Sequence, residues 1–244
     1  MNKNLLILIC LFFSHFVKAQ HSAKANADLF NILNTRVRDQ AILKDKARKH
    51  AQVYLKKLST HFKDSIIRLA QNKPHSFPLI GYDKKAIGGT NGNGYHASGY
   101  SYWDGNAHGG HPAHDIFIAD RNQDMLDDRS KEEVKVLAIT SGIVVALVDD
   151  WQNASTLRGG KYVYIFDPVG ERLFYYAHNN RLLVKVGDIV VAGTPIATVG
   201  RSGKNALKTR SPTHLHLMCL RTDFAHFFQP INVYQLLISA QLKK

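Results

Sequence analysis

The feature that most constrains this chain is a series of short apolar runs from residue 112 onward, broken only by turn residues. "HDIFIAD" alternates apolar and polar positions. "VLAITSGIVVALVDDW" is rich in β-branched residues and carries a Ser-Gly break. "KYVYIF" and "ERLFYYAH" flank "DPVG", a hairpin turn signal, and "THLHLMCL" closes the series. Parallel neighbours need long crossovers, usually helical, and no amphipathic helix separates these runs. The sheet is therefore expected to be mainly antiparallel, in a fold of the α+β, mainly β class.

Ahead of the strands, residues 26–72 read as helix. Ala51, Leu55, Leu58, Phe62, Ile66 and Leu69 recur at spacings of three and four, and Leu29, Ile32, Leu33 and Val37 give an earlier stripe. With no proline before Pro74, the pattern fits one long helix or a helical pair. Its stripe is expected to pack on a partner helix or on the strand domain. The apolar repeat is too short and irregular to demand a coiled coil. Residues 20–74 hold 12 Lys and Arg against 4 Asp, so most of the formal +13 charge of the chain sits here. Such a basic segment suits an anionic wall polymer or membrane surface, and equally a solvated helix face.

Residues 1–19, "MNKNLLILICLFFSHFVKA", place a lysine before a short apolar stretch and end on small residues at −3 and −1 of Ala19. This reads as a cleaved secretory signal peptide, too short in its apolar run to span a bilayer. The expected location is therefore exported, periplasmic or secreted, which argues against nucleic acid as a partner. Cleavage removes Cys10 and leaves Cys219 alone, so no internal disulfide is available. Cys219 lies in an apolar run and reads as a buried thiol. The expected organisation is a signal peptide at 1–19, a basic helical segment at 20–74, the main domain at 75–236 and a tail at 237–244.

Between helix and strands, residues 81–111 are rich in Gly, Asn and Tyr, which is loop chemistry. A long irregular stretch inside a domain usually serves function. Its aromatics Tyr95, Tyr100, Tyr102 and Trp103 would line a groove or pin the loop to the sheet. The loop ends in "GGHPAHDIFI", where His111 and Asp115 stand four apart. Asp115 opens an apolar run, an unusual place for a carboxylate unless it is paired or bound to a metal.

In "THLHLMCL", His214 and His216 share one face of a strand while Leu215 and Leu217 face the core. The pair alone fits a metal or catalytic site, or two structural histidines. His178, in "FYYAHNN", ends another strand. Zinc suits this set, since it takes imidazole and carboxylate at about 2.0–2.2 Å and in catalytic sites keeps three protein ligands. His111, Asp115 and one of the C-terminal pair supply three, leaving the other member and His178 for proton work.

These residues resemble the signature of the lysostaphin-type (LytM-like) zinc metallo-endopeptidases, which hydrolyse the cell wall. That signature is H-x3-D, then Y-x-H, then H-x-H, met here as His111 with Asp115, "YAH" at 176–178 and "HLH" at 214–216. The linking "YYAHNNRLLVKVGDIVVAGTPIATVGRSG" is similar too, and the resemblance covers about residues 77–222. It implies a sheet domain with an active-site groove. His111, Asp115 and His216 would ligate Zn2+, His214 would be the general base, and His178 would orient water or stabilise the oxyanion. The implied substrate is the peptide part of peptidoglycan, through its stems or cross-links.

The sequence departs from the family at Ala113, where Gly is usual. His114 stands beside Asp115, but strand alternation turns it to the other face, and His108 in the Gly-rich loop reads as supporting. Residues 120–133 replace a shorter family turn. Asp120, Asn122 and Asp124 mimic the start of a calcium loop, yet Met125 and Lys131 occupy its key Gly and Glu places, so a solvated loop or groove wall fits better. An alternative function is an inactive LytM-like module that activates another hydrolase. Such modules lose ligands that this chain keeps. The turns of "VKVGDIVVAGTPIATVG" also look like a biotinyl or lipoyl carrier, but the carrier lysine is missing.

Overall fold

The computed structural model describes residues 24–70 and 75–243. The expected signal peptide lies outside the described residues. The helical segment forms two helices, α1 over residues 24–38 and α2 over Lys44–Ala70. The stop between them is a Schellman turn. Gln40 takes a left-handed φ of 56°, Ala41 N–H donates to the Arg36 carbonyl at 2.7 Å, and Gln40 N–H donates to the Val37 carbonyl at 3.1 Å. Glycine normally marks this position. Glutamine does not, so the sequence left the break unmarked.

Eight strands follow: β1 Ala113–Phe117, β2 Lys135–Leu137, β3 Gly142–Val148, β4 Lys161–Asp167, β5 Arg172–Leu182, β6 Ile189–Val190, β7 Pro195–Val199 and β8 His214–Arg221. Their order is β1-β8-β5-β4-β3-β6, with β7 joining β5 to β2. Every pairing is antiparallel, as the lack of crossover helices predicts. In the β4–β5 turn, Asp167 accepts the backbone N–H of Val169 and Gly170 at 3.0 and 2.9 Å.

Each sheet face has its own core. On one, Phe77, Leu79, Ile116, Tyr176, Leu215 and Leu217 are buried, and a short helix, α3 (Tyr234–Ser239), closes the layer. The expected boundary at 236 therefore falls inside α3, and residue 241 bridges back to Ser76. Cys219 is buried here, and burial pushes its thiol well above the ordinary value, which keeps it unreactive.

On the other face, α1 and α2 lie against the strands. Phe30, Leu33 and Val37 of α1 and Ala51, Leu55 and Leu58 of α2 share one core with Tyr162 and Tyr164 of β4. The helical stripe thus packs on the strand domain. It is narrower than the sequence suggests, because Leu29, Ile32 and Leu69 are exposed. The loop at 120–133 is tied inward. Asp120 Oδ2 accepts Met125 N–H at 2.9 Å and the Thr213 hydroxyl at 2.6 Å, and Oδ1 accepts Asp124 N–H at 3.1 Å, so both oxygens are already committed.

Candidate metal centre

Strand register assembles the centre. Asp115 of β1 lies directly across from His216 of β8, and His216 lies across from Ala177 of β5. Alternation puts Asp115, His214 and His216 on the face that carries Ala113 and Met218, opposite the core that holds Leu215 and Leu217. His111 precedes β1 and is held by a bridge to His96, with backbone bonds of 2.6 and 2.8 Å. The Gly-rich loop thus fixes a ligand position.

His178 breaks the alternation. Phe174 and Tyr176 of β5 face the far core, and simple period-two counting would send His178 after them. Instead, Ala177 and His178 together oppose Tyr162 alone, a β-bulge. His178 takes a φ of 65°, and its ring turns toward the other histidines, with centroids 4.9 Å from His214 and 5.3 Å from His216.

Asp115 Oδ1 is the hub. It lies 3.2 Å from His111 Nε2, 3.0 Å from His216 Nδ1 and 3.6 Å from His214 Nε2. The ligand atoms of His111, Asp115 and His216 all lie within 4.8 Å of one another. Tetrahedral ligands at zinc bond lengths stand about 3.3 Å apart, so this spacing fits.

Protonation points the same way. Backbone carbonyls only accept, so His111 Nδ1–H must donate to Gly94 O at 2.9 Å. A neutral His111 then aims the lone pair of Nε2 at a carboxylate oxygen, two acceptors face to face. A cation between them resolves the conflict, and in its absence the imidazole must take up a proton. Accordingly, the hydrogen bond to Asp115 holds His111 above the ordinary histidine value. Burial alone would raise the Asp115 carboxyl. The hydrogen bonds from His111 and His216 outweigh it and hold the group far below the usual carboxylate range. Burial pushes His216 down.

The two remaining histidines are oriented by the same device. His214 Nδ1–H donates to Pro212 O at 2.7 Å and His178 Nδ1–H donates to Ser202 O at 2.8 Å. Each therefore turns its Nε2 toward the centre. Burial pushes His178 well below the ordinary value, so it stays neutral.

The centre opens into a cavity of about 270 Å3. Its walls hold Tyr100 and Tyr102 from the loop, Arg158 from the β3–β4 connection, and Asn34, Val37 and Arg38 from α1. Of the loop aromatics, Tyr100 and Tyr102 reach this cavity. Trp103 stacks on Phe228 at 5.2 Å and pins the loop instead, and Tyr95 stacks on His114. His114 faces away, bonded to Asn232 at 3.0 Å. No sequence pattern marks Arg158 or the α1 residues as part of the wall. Their signal is purely tertiary.

Residues 122–226 match the sequence model of peptidase family M23. The match spans less than half of the chain. The match takes in His178, His214 and His216, while His111 and Asp115 lie upstream of it. No curated protein matches the chain. Solved structures give partial likenesses. The catalytic domain of the antimicrobial peptidase lysostaphin from Staphylococcus simulans is 25% identical, with a TM-score of 0.41 over 60% of this chain and 91% of that one. A zinc containing peptidase from Vibrio cholerae is 18% identical, with a TM-score of 0.43 over 70% of this chain and 41% of that one. A putative glycyl-glycine endopeptidase from Ruminococcus gnavus is 18% identical, with a TM-score of 0.43 over 78% of this chain and 74% of that one.

Proposed function

We propose that this chain is a zinc-dependent endopeptidase, exported from the cell, that hydrolyses the peptide cross-links of peptidoglycan. The observation that carries the reading is the convergence of His111, Asp115 and His216 on one point, with His178 and His214 beside it. The match of residues 122–226 to the M23 family model and the H-x3-D, Y-x-H, H-x-H order support it. Export rests on the character of residues 1–19. An inactive module is disfavoured because all three ligand side chains are present.

His111 Nε2, Asp115 Oδ1 and His216 Nδ1 would hold the ion. When bound, zinc supplies Lewis acidity, which makes a water more acidic and polarises the scissile carbonyl. His214 Nε2 is the base that takes the proton from the attacking water, since Pro212 holds the other ring nitrogen protonated. His178 has the same tautomer, so in its neutral form it accepts a hydrogen bond and cannot donate one to an oxyanion. Its role is to orient the water. Once protonated, His214 becomes a donor and returns the proton to the leaving amine.

The test is zinc content together with digestion of cross-linked muropeptides by the purified chain. Zinc at one per chain and release of un-cross-linked products are expected, both lost in His216→Ala. Intact muropeptides with a zinc-loaded protein, or a His216→Ala variant that behaves as wild type, would overturn the reading.

A further inference from the structure

The cavity wall contains two arginines in different states. Arg38 is spent: its Nε and an Nη grip both oxygens of Asp39, each at 2.7 Å. Arg158 is not. One Nη donates to the His108 carbonyl, and among the described residues no carboxylate pairs with it. A guanidinium carries five N–H donors, so most of this one remains unspent.

Arg158 is also held in place. Its backbone N–H donates to Asn106 Oδ1 at 2.9 Å, and the next residue, Gly159, accepts His178 N–H at 3.0 Å. The loop that carries the arginine is therefore bonded directly to the bulge that aims His178. The arginine lines the same cavity as His108 and His111. A half-buried cation beside the reacting centre, fixed in position and lacking a counter-ion, is built to receive an anion.

The geometry points to Arg158 as the receptor for a carboxylate of the substrate. The ligand class is a peptide with a free carboxylate near the bond that meets the metal centre, as opposed to a neutral glycine-type bridge. Planar, forked recognition suits carboxylate to guanidinium. The proposal deepens the peptidase reading and rests on it for the identity of the ligand as a peptide. Arg158 is a specificity residue and carries no part of the proton transfer.

The probes are an acylated D-alanyl-D-alanine peptide and the same peptide as its C-terminal amide. Calorimetric binding and kcat/KM are measured for both on the zinc-loaded full chain. The wild type should favour the carboxylate form by about ten- to a hundred-fold, the range for a charge-assisted hydrogen bond. Arg158→Gln should erase that preference by weakening the carboxylate form far more than the amide form, and Arg158→Lys should restore part of it. A carboxylate that merely sat on the metal would keep its preference in Arg158→Gln, which would overturn the proposal. So would an equal loss on both peptides, the mark of a structural staple to His108. If the wild type binds with an Arg158-dependent preference but leaves both peptides and cross-linked muropeptides intact, the peptidase reading fails and the anion site stands.

Discussion

Asn34 of α1 bolts the N-terminal helices to the cavity. Its side-chain amide donates to the Tyr162 hydroxyl at 2.9 Å and its carbonyl accepts the Tyr102 hydroxyl at 2.9 Å. All three residues are buried, Asn34 at 4% exposure, Tyr162 at 3% and Tyr102 at 6%. Asn34→Leu removes both bonds, strands the Tyr102 hydroxyl and leaves the Tyr162 hydroxyl only its interaction with Arg38. Each unsatisfied buried group costs about 1–3 kcal/mol. The nearby cavity gives water some access, so the lower half of the combined range applies, about 2–4 kcal/mol. For a chain of this size that lowers Tm by roughly 4–16 °C. Thermal and urea unfolding measure it. Adding Tyr162→Phe and Tyr102→Phe should recover much of the loss, because replacing all partners with apolar groups leaves nothing unsatisfied. A loss below about 0.5 kcal/mol, the size of an ordinary surface substitution, would refute the view that α1 belongs to the same cooperative unit as the sheet.

Two further perturbations probe the supports of the site. Gly105 has a φ of 52°, and an added Cβ would stand 2.4 Å from Val37 O and 2.6 Å from Arg38 O. Gly105→Ala should therefore destabilise by about 1–3 kcal/mol or more, read by urea unfolding, because the backbone of α1 has to shift. Asp127 is buried; burial would raise its carboxyl, but hydrogen bonds from Arg129 and Tyr82 overcome this and hold it well below the ordinary value. Its folded value is depressed, so its contribution is present above about pH 4 and is lost as pH falls through the folded value. Asp127→Asn should lower stability at neutral pH and flatten the acid side of the stability–pH curve, followed by urea unfolding from pH 7 to 3.

The sequence by itself determined the sheet and most of the centre. Strands are local in pattern, and turn residues such as those of "DPVG" punctuate them, so an antiparallel sheet follows from spacing alone. The period of two also placed His214 and His216 on one face, with Leu215 and Leu217 in the core. The H-x3-D, Y-x-H, H-x-H order then carried the resemblance to a family.

Other features came only with the tertiary structure. His178 reaches the centre through a bulge and a left-handed φ, against the alternation that a sequence reader must assume. The tautomers of His111, His178 and His214 are set by the carbonyls of Gly94, Ser202 and Pro212, and a carbonyl leaves no mark in the sequence. The break after α1 rests on a glutamine doing what glycine usually does. The cavity wall joins α1, the Gly-rich loop and the β3–β4 connection, segments far apart along the chain. Arg158 looked like one basic residue among many. Its meaning depends on which carboxylates lie within reach, and only the folded chain decides that.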